Sequence, residues 1–442
     1  MVLQSGPPEL LIIGLLAHQL GRMWEQGFAD AHHNYAPVFA IRLSRQITFA
    51  GQAIALPTAL VVAVVLPRPG GAACALILVM YWLITVQRRL ANHCWLSLLA
   101  LAAMTFVPPA KDGVIARDLL VGLYLSAALF KLNPEYLFTD RSAGRVVTTF
   151  YLRLLGLHAP RWLLRSIPMT VVLAEALTGA SLLIPTFAYA GLLLAVAMHE
   201  AFGVSGNFSF SIVAMVLWVT ALASNGYGIT LPPVESVWWL AVPVSAALAL
   251  GLGRTTAGAR SVSLLVKDFV QGGMFGALCA VALAAPPVSR DWSAPLVHAL
   301  IAFVFVVNLL LVMAGAKLEW SFAMFSSLRP FGRSWLQRGW IKDWPRYYVL
   351  TLPDRIPRHL LDSVHLEFLY QATRAENAVH ESVVRRLEAV AHECDTTFAP
   401  RVVEPGDDGL TPASCAQQPV PRRTVLLFPA IVPRDFAHHY LG

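Results

Sequence analysis

Long apolar stretches separated by short polar segments dominate the first three quarters of the chain. Stretches close to the roughly 20 residues that a helix needs to cross about 30 Å of hydrocarbon recur from residue 8 to residue 316. Because lipid offers no hydrogen-bond partner to an unpaired backbone, each stretch is predicted to be a helix. The pattern predicts an all-α fold, a polytopic transmembrane helix bundle of about 9–11 spans. The predicted spans cover residues 8–24, 46–66, 72–87, 92–108, 118–134, 168–186, 187–203, 207–224, 235–252, 268–286 and 295–316.

The pattern divides the chain into three regions. Residues 1–45 hold an N-terminal span and a connecting loop, residues 46–318 a transmembrane domain, and residues 319–442 a short, mixed, polar C-terminal tail. The first span is expected to stay in the membrane, because Glu9 stands where a signal peptide would carry positive charge.

Two segments outside the spans are predicted to be amphipathic. Residues 135–167 combine apolar side chains with five arginines and are expected to form one or two helices on the lipid headgroups. Residues 374–393 form a predicted helix whose apolar face comprises Ala375, Val379, Val383, Leu387 and Val390.

Composition supports a membrane location. Hydrophobic residues make up 57% and charged residues 13% of the 442 positions, and the mean hydropathy is +0.60, well outside the range of soluble domains. The net charge is +7, but Lys and Arg are spread over short loops instead of forming one basic face. This distribution indicates how the chain is oriented in the membrane, and it argues against a nucleic-acid partner. The five cysteines include no CxxC pair and no zinc-site spacing, so no metal is predicted.

The loop charges also predict which side of the membrane is cytoplasmic. Alternate loops carry twelve Lys or Arg on one side and four on the other, the four being Arg68, Lys111, Arg117 and Arg290. By the positive-inside rule, the richer side and the tail face the cytoplasm.

Polar residues at the ends of spans are the candidates for catalytic or ligand-binding residues. Asn92 and His93 begin one predicted span, Lys131 lies near the end of the next, and His199 lies near the end of a later one. In the predicted topology all of them approach the same membrane face. Tyr124 and Lys131 share one stripe of a helix, separated by small residues that leave room for another helix or a flat ligand.

Each of these residues has an ordinary interpretation. A lysine at a helix end can extend to the headgroups as an anchor, Asn92 can be an N-cap, and His199 can form a buried polar pair with Glu200. Alternatively, Lys131 acts as a general base, because an amine held away from water loses the hydration that stabilises its charged form. Its natural substrate would be a weak, lipid-soluble acid such as a quinol hydroxyl.

The segments "ANHCWLSLLALAAMTF" and "RDLLVGLYLSAALFKLNPEYL" resemble the paired signature of the vitamin K-dependent gamma-carboxylase-like transmembrane family, the HTTM family. The matching positions are Arg117, Tyr124, Lys131, Leu132, Asn133 and Leu137. "AMHEAFGVSGNFSFSIVAM" and "KLEWSFAMFSS" resemble later family segments, so that the resemblance covers roughly residues 85 to 327. Glu135 and Tyr136 replace the usual Asp and Trp, and Phe130 stands where animal carboxylases carry a second lysine.

The resemblance implies a mechanism and a set of site residues. Lys131 would deprotonate a reduced, vitamin K-like quinone, which reacts with O₂ to give a base strong enough to remove a carbon-bound proton, and CO₂ would add. His93 would assist as an electrostatic and hydrogen-bonding partner. The residues expected to bind the substrate or quinol are Tyr124, Asn92, Arg117, Asn133 and His199.

Two functions remain open from the sequence. One is a carboxylase or oxygenase-type enzyme that acts on a small peptide or metabolite. The other is a non-catalytic membrane component in the maturation of, or immunity to, a small peptide. A transporter ranks last, because no inverted repeat is evident. The resemblance implies contact with membrane lipid in a bacterial cytoplasmic (inner) membrane, and it leaves the oligomeric state open. The tail looks too short and too helical for the β-rich region with which animal carboxylases hold protein substrates.

Overall fold

The computed structural model describes most of the chain. The described residues are 2–3, 6–26, 43–86, 92–140, 142–224, 229–255, 262–285, 293–314, 322, 346–351, 369, 372–374, 377–393, 398–403, 410–412 and 431–433. Most of them are helical, as the apolar pattern predicts. The segment 317–327 of the family resemblance lies outside this set apart from Phe322, and so do several of the loop arginines, among them Arg88, Arg89 and Arg141.

The helices are α1 (Pro7–Gln26), α2 (Arg45–Ala53), α3 (Ala55–Val65), α4 (Gly70–Val86), α5 (Asn92–Phe106), α6 (Asp112–Lys131), α7 (Pro134–Phe138), α8 (Ala143–Leu154), α9 (Arg161–Ser181), α10 (Ala188–Phe202), α11 (Phe208–Ala223), α12 (Ala241–Thr255), α13 (Val262–Ala284), α14 (Pro295–Met313) and α15 (Glu381–Glu393). The strands are β1 (Val2–Leu3), β2 (Ile229–Thr230), β3 (Tyr347–Val349), β4 (Asn377–His380), β5 (Arg401–Val403), β6 (Leu410–Pro412) and β7 (Ile431–Pro433).

Four helices of the described chain are long and apolar enough to cross a membrane, and a bent pair raises the number to five. The four are Pro109–Lys131, Arg161–Ser181, Leu264–Ala284 and Pro295–Met313. The predicted span 46–66 is the bent pair, because the helix breaks between α2 and α3 with a 48° change of direction. Other apolar helices have 10–17 residues, and at about 1.5 Å per residue they are shorter than a full hydrocarbon core.

Three predicted spans begin too late in the sequence, and one of them, predicted from residue 268, is α13, which begins at Val262. The helix predicted from residue 118 begins at Asp112, because that carboxylate is paired with Arg68 and needs no exit to water. The helix predicted from residue 168 begins at Arg161 and carries Pro168 inside it. Polar residues therefore enter the first turns of these helices, where Asp112 of α6 pairs with Arg68 and Arg161 and Arg165 of α9 are exposed.

The predictions for the two amphipathic segments have different outcomes. Helices α7 and α8 confirm helical structure within residues 135–167. The prediction of one helix over residues 374–393 is wrong at its start, because residues 377–380 form strand β4. Strand β4 pairs antiparallel with both β3 and β7, and this long-range pairing overrides the local helical period. Ala375 lies outside the described residues.

Strand β4 belongs to a five-stranded antiparallel sheet in the tail. The strand order is β6-β5-β3-β4-β7, and α15 packs on the sheet, with Val383 and Leu387 against Val379 and Tyr348. The tail therefore contains a small sheet as well as a helix, whereas the sequence suggested a tail that is too helical for a large β-rich region. The sheet orders chain segments that are separated by up to about 80 residues.

Helix α11 is the centre of the helical region. Its residues are buried from Phe208 to Ala223, apart from the half-buried Ser209, and it packs against α1, α6, α10 and α13. Helix α6 packs in turn against α9, α11 and α14. This arrangement places the predicted stripe of α6 inside the bundle.

Helices α12 and α13 make a close contact that depends on glycine. A Cβ at Gly276 would lie 2.8 Å from Val242 Cα and would clash with the backbone of Ala241, whereas a Cβ at Gly273 would meet nothing within 4 Å. We expect Gly276→Ala to destabilise the protein by roughly 1–3 kcal/mol through overpacking. Gly273→Ala, the matched control, should be neutral or stabilising by about 0.5–1 kcal/mol, because alanine favours helix. Thermal unfolding of the purified protein in detergent measures both, and equal effects would contradict the contact.

His380 makes the tail sheet sensitive to acid. The ring is 0% exposed, and burial lowers its pKa to about 4. Below pH 6.5 the unfolded chain takes up a proton that the folded sheet excludes, so stability is lost as pH falls from 6.5 towards 4, by up to about 3 kcal/mol. Burial raises the pKa of the adjacent Glu381, and this contribution has the opposite pH dependence.

We expect His380→Asn to reduce the loss of thermal stability between pH 7 and pH 5. Asparagine retains an acceptor for the backbone N–H of Ser382, which donates to His380 Nδ1 at 3.1 Å, and it does not ionise. Because Glu381 is present in both proteins, the difference between their pH profiles isolates His380. An unchanged profile would show that His380 is protonated without penalty.

Candidate functional site

Lys131 is buried and paired with a carboxylate. Its Nζ donates to Glu175 Oε1 of α9 at 2.8 Å, and the two residues are 1% and 4% exposed. Lys131 is also the last residue of α6, where the helix dipole favours a positive charge. The amine therefore points into protein, which does not fit a lysine that extends to the headgroups.

Small residues allow α9 to bring Glu175 to this position. Ala127 and Ala128 are buried, and Ala128 packs with Tyr136 and Val172. A Cβ at Gly179 of α9 would lie only 3.1 Å from Tyr124 Cβ. Of the two uses predicted for the small residues of α6, the structure shows close helix approach.

Glu175 has one oxygen that is not used. Within the described residues, Oε2 has no hydrogen-bond partner, although it is buried. Tyr136 is also buried nearby, and its pKa is raised by burial and by the Glu175 carboxylate. The carboxylate oxygen without a partner can accept a hydrogen bond from a hydroxyl, or it can take up a proton. Burial makes either interaction stronger than it would be in water.

Tyr124 and His199, both predicted site residues, are in direct contact. Tyr124 OH lies 2.7 Å from His199 Nε2, and Trp218 Nε1 donates to the same hydroxyl oxygen at 2.9 Å. Because an indole N–H only donates, the hydroxyl oxygen is the acceptor in the contact with Trp218, and the hydroxyl proton is available to His199 Nε2. His199 Nδ1 has no hydrogen-bond partner in the described part of the chain.

Tyr124 and Lys131 share a stripe of α6, as predicted, but they belong to different contacts. Seven residues separate them, a rise of about 10 Å along the helix. Tyr124 is fixed by α10 and α11, whereas Lys131 is fixed by α9.

The structure places Arg117 away from Lys131. The two are fourteen residues apart on α6, which corresponds to about 21 Å. Arg117 Nη2 donates to Asp118 Oδ1 at 2.6 Å and lies 3.1 Å from His298 Nδ1. The geometry does not bring Arg117 to a ligand that touches Lys131.

Asn133 and Asn92 hold backbone segments. Asn133 Oδ1 accepts from the backbone N–H of Tyr136 at 3.0 Å and caps α7. Asn133 Nδ2 donates to Phe130 O at 2.8 Å, so this residue of the motif fixes the turn after Lys131. Asn92 Oδ1 accepts from Phe322 N at 3.3 Å.

His93 lies in a cluster with residues of α1 and of its own helix. Its ring meets that of His18 edge-on, with centroids 4.4 Å apart. Ligand atoms of His18, His93 and Cys94 all lie within 4.8 Å of one another.

Glu175 and His18 are the residues that sequence reasoning missed. Glu175 is a single carboxylate in the predicted span 168–186, and an ionisable group there requires a partner and indicates function. His18 lies in the first predicted span, where its polar side chain weakens the hydropathy pattern of a membrane helix. Its contact with His93 joins positions 75 residues apart.

Comparisons with protein-family models, with curated proteins and with solved structures find no significant match to this chain. The likeness to the HTTM family therefore depends on the quoted motif residues.

The Lys131–Glu175 pair should behave as a unit in stability measurements. We expect Glu175→Leu to destabilise the protein by about 3–5 kcal/mol, because it leaves the ammonium buried without a counter-charge. Adding Lys131→Met to that variant should recover most of the loss, since both charges are then gone. Unfolding in detergent of the unaltered protein, of Glu175→Leu, of Lys131→Met and of the double variant gives the coupling energy. Additive losses would mean that the two charges do not interact.

Proposed function

We propose that this chain is an integral membrane enzyme of the HTTM type, in which Lys131 and Glu175 together accept a proton from the hydroxyl of a lipid-soluble quinol. The observation that supports the proposal is the buried Lys131–Glu175 pair, in which Glu175 Oε2 has no hydrogen-bond partner among the described residues. Isolated ion pairs inside an apolar bundle are costly, and those that persist mark functional sites more often than stabilising ones.

Proton transfer within the pair generates the base. In the resting pair the proton is on Nζ and the carboxylate is ionised. Movement of that proton to Oε1 along the 2.8 Å hydrogen bond leaves a neutral amine and a neutral acid. The amine then takes a hydroxyl proton and becomes an ammonium again. Apolar surroundings favour the first transfer, from Nζ to Oε1, because they disfavour both charged forms of the pair.

A reduced, vitamin K-like quinone is the proposed ligand in this role. Lys131 and Glu175 would hold its hydroxyl, and the neighbouring Tyr136 adds an aromatic ring. The bound group would supply the reducing equivalents that react with O₂ and lead to removal of a carbon-bound proton, with CO₂ as the co-substrate. Glu175 takes the position of proton partner that the family resemblance gives to His93.

Tyr124 and His199 have a supporting role in this proposal. Their hydrogen-bond chain with Trp218 fixes α10 and α11 against α6, next to the segment that carries Lys131. A small peptide or metabolite is the proposed acceptor of CO₂, and a bacterial cytoplasmic membrane is the proposed location.

The alternative is a non-catalytic component in the maturation of, or immunity to, a small peptide. It is supported by the way that Tyr124, Asn133 and Arg117 are satisfied by contacts within the protein. In that case the Lys131–Glu175 pair only joins α6 to α9.

Lys131→Arg separates the two functions. Arginine keeps the positive charge and the ion pair but does not give up its proton in proteins. We expect the variant to fold and to lose O₂ consumption by roughly 10²–10⁴-fold, the usual contribution of a general base. The measurement is O₂ uptake by the purified protein supplied with vitamin K hydroquinone.

Lys111→Arg is the matched control, since Lys111 lies just before the opposite end of α6 and donates to Ser293 O on the surface. It should leave O₂ uptake unchanged. Full activity of Lys131→Arg, or no hydroquinone-dependent uptake by the unaltered protein, would contradict the enzymatic proposal.

A further inference from the structure

Two histidines and a cysteine meet where the C-terminal half of α1 contacts the start of α5. We propose that His18, His93 and Cys94 form a metal site for Zn²⁺ or a divalent cation of similar size and softness. The proposal does not depend on the acid-base function of Lys131, and it gives His93 a role different from the one that the family resemblance implies.

The distances between the donor atoms suit one ion. All three atoms lie within 4.8 Å of one another, so the centre of such a triangle is at most about 2.8 Å from each atom. Zinc holds sulfur at about 2.3 Å and nitrogen at about 2.0–2.1 Å. Each atom therefore needs to move inward by less than about 1 Å, which small side-chain rotations provide.

The chemistry of the donors also suits zinc. Imidazole nitrogen and thiolate sulfur are the ligands that Zn²⁺ prefers. The thiolate offsets one of the two positive charges of the ion in an apolar setting. Both residues of α5 are buried, with His93 5% and Cys94 3% exposed, so the ion would be shielded from competing water.

A second partner orients the histidine of α1. His18 Nδ1 lies 2.8 Å from Ser209 Oγ of α11. When Nδ1–H donates to this hydroxyl, Nε2 presents its lone pair for a metal. Outer partners of this kind are regular features of metal-bound histidines, because they fix the tautomer and the ring orientation.

Three protein ligands would leave one tetrahedral position open. Structural zinc sites usually close all four positions with side chains, whereas sites that bind a water or a substrate keep one free. The cluster therefore fits the open type of site, and the expected fourth ligand is a water molecule.

Cobalt substitution tests the site directly. The full-length protein, purified in detergent without an affinity tag, is titrated with Co²⁺ and then with Zn²⁺. We expect about one Co²⁺ per chain, with thiolate-to-cobalt charge-transfer absorption that Zn²⁺ abolishes. Cys94→Ser should remove this absorption, and His93→Gln should abolish stoichiometric binding.

Two further variants sharpen the assignment. Cys279→Ser replaces another buried cysteine, on α13, and should bind Co²⁺ like the unaltered protein. Ser209→Ala keeps the ligands but removes the outer partner, so affinity should fall roughly 10–100-fold. Charge-transfer absorption that persists in Cys94→Ser, or that disappears in Cys279→Ser, would overturn the proposal.

A measurement on the unaltered protein covers the case in which a ligand variant does not fold. Zn²⁺ should slow alkylation of Cys94 by a small maleimide but not that of the partly exposed Cys74, with both sites quantified by peptide mass spectrometry. Equal alkylation of Cys94 with and without Zn²⁺ would exclude the site.

Discussion

A lysine ammonium inside an apolar helix bundle must have a counter-charge, and this requirement explains the packing around α6. Lys131 finds its partner in Glu175, which lies on another helix, so the two helices must approach closely at that level. Alanines on α6 and Gly179 on α9 permit the approach. At the other end of α6, Asp112 pairs with Arg68, and Asp118 contacts His298 of α14 as well as its neighbour Arg117. The contacts of Glu175, Arg68 and His298 thus each join α6 to another segment.

The pairs along α6 differ in how completely they are satisfied, and this difference separates structure from candidate chemistry. Asp112 uses both of its oxygens on the Arg68 guanidinium, so that each oxygen has a hydrogen-bond partner. Glu175 uses one oxygen and keeps the other without a partner among the described residues. A buried acceptor that remains open has an energetic penalty, which a bound hydroxyl would remove. The contrast is the reason for placing the proposed reaction at Lys131 instead of at the arginines.

The family-like motif has a clear structural logic of its own. Lysine ends α6, Asn133 caps the next helix through the backbone N–H of Tyr136, and the turn between them is closed by a bond from Asn133 to Phe130. The motif therefore fixes the end of α6 and directs Lys131 towards α9. Of the residues that the resemblance groups together, Tyr124 and His199 are in contact, whereas Arg117 is about 21 Å along the helix from Lys131. The motif positions Lys131, and the carboxylate that pairs with it, Glu175, lies outside the motif.

The sequence by itself determined the helical class, the membrane character and the stripe that joins Tyr124 to Lys131, because hydropathy and helical period are local properties of the chain. It did not reveal that Glu175 pairs with Lys131 or that His18 approaches His93, since 44 and 75 residues separate these partners and no local spacing connects them. It also misassigned residues 377–380, where pairing with two distant strands outweighs a helical pattern. Only tertiary packing decided these contacts, because a buried charge, donor or strand edge is satisfied by whichever segment the fold brings within hydrogen-bonding distance.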